Sequence, residues 1–229
     1  MKAAPVELMR HQAPGQDRDR VLLVMLPGVG IEAKDFAEHG FVRDVQESGT
    51  PVDAVAARPD LDLYLDGTVA EAIEKAIVAP ARNSGRARIW HLGISLGGMG
   101  ALLHARAYPE NVEGVILLAP FVGTPGIVAE VAGAGGLEAW QPGVVAANDS
   151  ERQLLAWLKD HLAAPPRQPV LYLGYGRSDR FARGHAMLGE RLPAERVVVA
   201  EGGHDWPTWS DLWRQILDLQ PFALGGDRS

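Results

Sequence analysis

The sequence predicts an α/β fold, with a mostly parallel central sheet covered by helices on both faces. Three observations carry this expectation. Short, near-continuous apolar and β-branched runs recur along the chain; stretches with helical spacing separate them; and 229 residues without a break in composition fit one domain, 1–229.

The runs are Val21–Leu26, Pro51–Ala57, Arg88–Leu92, Val115–Ala119, Val170–Tyr175 and Arg196–Ala200. Continuous apolar character, rather than alternation, is what a strand buried on both faces requires. Between them, Val69, Ala72, Ile73, Ala76 and Ile77 share one helical face, and Thr68-x-x-Glu71 reads as a capping box at its start. Met99, Leu102, Leu103 and Arg106 follow the third run with similar spacing. Trp209, Leu212, Trp213, Ile216 and Leu217 form a last apolar stripe, which is expected to pack into the core. The segment 120–169 is longer than one crossover helix needs. It holds the Gly-rich Ala132–Gly136 and an amphipathic helix near Glu151–Leu162, and it is expected to form a small lid.

Composition excludes several classes of function. A net charge of −7 with no Lys/Arg cluster repels phosphate backbones, so nucleic acid is not an expected partner. The absence of cysteine removes disulfides, thiolate metal sites and cysteine nucleophiles. The seven histidines, at 11, 39, 91, 104, 161, 185 and 204, form no metal-binding spacing, so no metal is expected. Apolar runs such as Val21–Leu26 are too short to span a bilayer. Met1 to Glu7 lack the apolar stretch of a secretory signal, and a cytoplasmic location is expected.

Gly93-Ile94-Ser95-Leu96-Gly97 stands where the third run meets a helix. A nucleophile at such a junction sits on a sharp, strained turn with its hydroxyl raised above the sheet, and the flanking glycines remove Cβ atoms that would collide. The acid and the base should follow on loops after later strands. Val170–Tyr175 leads into Gly176-Arg177-Ser178-Asp179, which offers Asp179 as the acid. Arg196–Ala200 leads into Glu201-Gly202-Gly203-His204, which offers His204 as the base. Pro27-Gly28-Val29-Gly30 follows the first run, so the backbone N–H groups of Val29 and Leu96 are expected to form the oxyanion hole. Trp206, Tyr64 and Trp140 are candidate substrate-binding residues. No cofactor is needed for this chemistry.

The stretches Leu92–Leu102 and Gly202–Trp209 resemble the serine esterases of the α/β-hydrolase superfamily. Within it they look most like the branch of esterase D-type and S-formylglutathione hydrolase-type enzymes. The likeness runs from about Val21 to Leu219. It implies an eight-stranded type of core, whose first strands need not all be present here, and carboxylester hydrolysis by Ser95, Asp179 and His204. Pro27 stands where many members carry His, and the chain has no cysteine, so the resemblance does not extend to a substrate.

The leading expectation is a carboxylesterase for small to medium acyl chains. Thioester hydrolysis, acyl transfer or perhydrolysis on the same triad, and a non-catalytic binding protein on a hydrolase fold, are the alternatives. The expected partner is a small-molecule ester, with assembly into a homo-oligomer left open.

Overall fold

The computed structural model describes residues 6–13, 20–86, 88–163 and 169–223. They form a seven-stranded sheet from β1 (Val6–His11), β2 (Val21–Leu26), β3 (Val52–Pro59), β4 (Arg88–Ile94), β5 (Gly114–Leu118), β6 (Val170–Gly176) and β7 (Val197–Ala200). The strand order is β1-β3-β2-β4-β5-β6-β7. Only β1 runs antiparallel, pairing along β3 from Val6↔Pro59 to His11↔Ala54. The helices are α1 (Asp35–Glu38), α2 (Phe41–Glu47), α3 (Leu61–Leu65), α4 (Val69–Ile73), α5 (Ala79–Asn83), α6 (Leu96–Ala107), α7 (Pro125–Gly133), α8 (Ser150–Ala163), α9 (Ala182–Gly189) and α10 (Trp206–Asp218).

Strand pleating divides each apolar run between two cores. In β2, Leu22, Val24 and Leu26 point to one side, where they join Val69 and Ile73 of α4, Leu102 of α6 and Leu158 of α8. Val21, Leu23 and Met25 point to the other, toward Phe41 of α2 and Leu212 and Trp213 of α10. The Trp213 indole N–H donates to the Phe41 carbonyl at 3.2 Å, and the two rings stack, which ties the last helix to α2.

Several expectations are corrected. The sequence reading missed β1, whose six residues are mostly half-exposed and too short to show a clear alternation. The fourth strand runs on to Ile94, inside the glycine motif, and Arg196 closes a short 3-10 turn before β7 begins. The Thr68–Glu71 capping box does not form. Thr68 has φ −103° and ψ 3°, not the extended backbone that aims a cap hydroxyl at the helix, and Glu71 pairs with Lys75 instead. The helix then widens into a π turn at Glu74–Val78.

The segment 120–169 carries α7 and α8. Leu154, Leu155 and Leu158 of α8 are buried in the core on the α6 side of the sheet, so this helix serves as the crossover from β5 to β6. Among the described residues no helix is long and apolar enough to cross a membrane.

Candidate active site

Ser95 sits between the end of β4 and the start of α6 with φ +52° and ψ −117°. A non-glycine residue in this region costs on the order of 1–3 kcal/mol and persists only when its surroundings dictate it. Here they do. The Ser95 N–H donates to Leu118 of β5 at 3.1 Å, and the Ser95 carbonyl accepts from the Phe121 N–H at 2.8 Å. A Cβ on Gly93 would lie 2.5 Å from the Gly97 carbonyl oxygen, and one on Gly97 would collide with the backbone of Leu26. The glycine spacing therefore answers to the crossing of three backbone segments behind the serine.

The acid and base positions come together across two loops. Asp179 follows β6 and His204 follows β7. The His204 Nδ1–H donates to Asp179 Oδ2 at 2.7 Å. The Asp179 side chain is fully buried and that of His204 is 10% exposed. Asp179 Oδ1 also accepts the Phe181 N–H at 2.8 Å. Burial pushes the Asp179 pKa up, but the His204 hydrogen bond, the Phe181 amide and the nearby His185 outweigh it. The carboxyl is held below its ordinary value. An ionised Asp179 fixes the proton on Nδ1 and leaves Nε2 as a lone pair.

The His204 ring is held edge-on between Phe181 (5.3 Å) and Trp209 (5.1 Å). Its loop is pinned by Asp205, which caps α10 by accepting from Thr208 N and Oγ1, while Gly203 N donates to the same hydroxyl.

Ser95 and His204 line one cavity of about 620 Å³, with Val29 and Leu96. Among the described residues no hydrogen bond joins Ser95 Oγ to His204, and neither the Val29 nor the Leu96 N–H is engaged. Val29 turns its side chain to solvent, 70% exposed, so a bulky residue is accommodated there.

The three candidate substrate-binding residues fare differently. Trp206 does line the cavity, and it also stacks on His39 at 4.0 Å, so it is both wall and staple. Tyr64 lines an adjoining groove on the far side of Val29 and Leu96, not the cavity itself. Its hydroxyl lies buried against Gly100, and burial raises its pKa. Trp140 is a correction: it is 2% exposed, packed with Leu137 into the core below α6 and α8, and its indole N–H donates to Glu130 at 3.0 Å.

The sequence reading missed Phe121, Phe181 and Arg180, all of which line the cavity. Their only sequence signal was adjacency: Phe121 follows β5, and the other two follow Asp179 directly. Among the described residues no group of three or more His, Cys, Asp or Glu side chains is placed to hold a metal.

A parallel sheet ending in a strained serine turn, with a paired carboxylate and imidazole on the two following loops, defines an α/β hydrolase. The chain matches the model of the Esterase family, described as "Putative esterase", over residues 29–218, and it belongs to that family. Membership supports ester hydrolysis as its general activity. No curated protein matches the sequence.

Among solved structures, Est1E from Butyrivibrio proteoclasticus shares the fold at a TM-score of 0.63 and 12% identity, over 98% of this chain and 97% of that one. An S-formylglutathione hydrolase from Staphylococcus aureus is similar at a TM-score of 0.60 and 13% identity, over 87% and 80%. A CIB-like hydrolase from Thermoplasma acidophilum gives a TM-score of 0.60 and 15% identity, over 95% and 94%.

Proposed function

We propose that the protein hydrolyses carboxylic esters of small to medium acyl chain through an acyl-enzyme on Ser95. The observation that carries this reading is the 2.7 Å bond from His204 to a buried, ionised Asp179, made on the wall of the same cavity that Ser95 enters from its strained turn. That bond commits Nδ1, so Nε2 is the nitrogen available as a base.

His204 Nε2 takes the Ser95 proton as Oγ attacks the ester carbonyl, and Asp179 stabilises the imidazolium that results. The Val29 and Leu96 amides hold the tetrahedral oxyanion, helped by the positive end of α6. The imidazolium then protonates the leaving alcohol. Water, deprotonated by the same nitrogen, releases the acid and restores Ser95. The Ser95–His204 hydrogen bond is the contact that a bound substrate has to tighten, as is common in hydrolases between the free and occupied states.

The test combines a fluorophosphonate probe with nitrophenyl esters of increasing acyl length. Wild type should label at Ser95 and cleave the shorter esters. Ser95→Ala should neither label nor turn over, with a loss of about 10⁴–10⁶ in rate. A wild-type protein that fails both assays sinks the esterase reading, and an active Ser95→Ala sinks the assignment of the nucleophile.

A further inference from the structure

The cavity beside Ser95 contains a cation that no acid of the described residues neutralises. Arg180 directly follows Asp179 and places its guanidinium over the Phe181 ring, with Cζ 4.9 Å from the centroid. Phe181 in turn meets the His204 imidazole edge-on. Arg180 therefore stands on the imidazole side of the cavity. Acids lie near this loop, since Arg177 pairs with Glu201 at 3.1 Å, yet among the described residues none pairs with Arg180. The carboxylate that shares the cavity wall, Asp205, is committed to the first turn of α10, where the helix dipole compensates its charge.

The opposite side of the cavity is aliphatic, and the two charged residues of the groove beyond it, Glu32 and Arg58, are paired with Lys34 and Glu7. Val29, Ile31 and Leu61 line both the cavity and the adjoining groove, and that groove is reached by neither His204 nor Arg180. The two sides thus differ in chemistry. One offers aliphatic surface; the other offers aromatic rings capped by a single guanidinium, a fork whose geometry matches a carboxylate.

We infer that the substrate's alcohol portion carries a carboxylate, read by Arg180, while its acyl portion lies on the aliphatic side. This rests on ester hydrolysis at Ser95. In that reaction the imidazolium must hand its proton to the departing alcohol oxygen, so the alcohol leaves on the imidazole side. That is the side on which the unpaired guanidinium waits. In a chain of net charge −7, Arg180 is the local feature that draws an anion to a surface that otherwise repels it. Arg180 is a specificity-determining residue in this scheme and takes no part in bond making.

The experiment uses matched esters. The acetyl ester of 4-hydroxybenzoate carries its carboxylate on the alcohol side, and the acetyl ester of methyl 4-hydroxybenzoate is its neutral counterpart. A second pair, the 4-nitrophenyl monoester of succinate against 4-nitrophenyl butyrate, moves the charge to the acyl side. Wild type should favour the first anionic ester over its neutral partner by about tenfold in kcat/KM, expressed mainly in KM, as a charge-assisted contact predicts. It should show no such preference in the second pair. Arg180→Gln should bring the first ratio close to one, and Arg180→Lys should keep part of it.

A wild-type ratio at or below one overturns the inference, as does a ratio that survives Arg180→Gln. A preference confined to the succinate monoester overturns the assignment to the alcohol side. Cleavage of the neutral esters without preference sinks this inference alone. Failure on all four esters, with Ser95 unlabelled by fluorophosphonate, sinks the esterase reading and this inference with it.

Discussion

Two histidine–carboxylate pairs among the described residues, His204–Asp179 and His104–Glu74, have opposite fates. In the first, His204 donates to Asp179 at 2.7 Å through Nδ1, and the residue lines a cavity. In the second, His104 of α6 bonds Glu74 at 2.9 Å through Nε2, and its Nδ1 is taken up by His91 of β4, also at 2.9 Å. Glu74 accepts from His104, so His104 Nδ1 must accept from His91 Nε2–H, and His91 Nδ1 is left buried without a partner. Both rings are fully buried. Burial lowers the pKa of each, against the pull of Glu74 on His104, so the pair stays neutral. In the proposed mechanism, an imidazole bonded to a carboxylate can serve as a base only when its far nitrogen opens onto space a substrate can enter. The inner pair fastens α6 to β4 and to the π turn.

The sharpest way to break this contrast is Asp179→Asn. The change keeps the shape but favours the wrong imidazole tautomer, and turnover should fall by about 10⁴ with little loss of stability. A loss under tenfold, measured as kcat on the best nitrophenyl ester, would mean that another acid does the work.

His104→Leu should do the reverse. It strands His91 in the core, whereas the half-buried Glu74 keeps the bond it accepts from Asn111 at 3.0 Å, and it should cost about 2 kcal/mol in urea unfolding, while kcat per folded molecule stays within about threefold. A loss of rate rivalling that of Asp179→Asn would place the inner pair in the catalytic machinery and erase the distinction.

The smallest effect concerns His185, which is fully buried and donates from Nε2 to the Pro120 carbonyl at 2.9 Å. Burial lowers its pKa to about 4, against the opposing pull of Asp179 and the Pro120 carbonyl. A folded pKa below the unfolded value means that the unfolded chain takes up the proton first. Stability is therefore full above about pH 6.5 and declines as pH falls toward 4. Between pH 7 and 5.5 wild type should lose about 1 kcal/mol more than His185→Gln, read from urea midpoints. Equal losses would show that His185 is protonated in the folded state.

How much of this was legible in the sequence depends on how local each signal is. The serine turn was, because the collisions that require Gly93 and Gly97 arise within a few residues of Ser95 or against the adjacent strand. Asp179 and His204 were, because the end of a parallel strand fixes where its loop emerges. Trp140 was misplaced for the opposite reason. Whether a tryptophan in a long connection faces a cavity or the core depends on how that connection folds back, and periodicity does not record this. Tyr64 fell one groove away on the same account. Arg180 carried no pattern at all: an unpaired cation is defined by the acids that fail to reach it. The Thr68 cap was a correct motif on the wrong backbone.

The serine turn owes its shape to hydrogen bonds with Leu118 and Phe121, at the end of a strand in the middle of the sheet. Its main chain has no hinge of its own and cannot relax while those neighbours stay in place. Heat should therefore not wear the enzyme down through a softened active site in an intact body. Loss of activity and collapse of the central strands become one event, and the working lifetime of the catalyst is set by the same barrier that keeps the sheet closed.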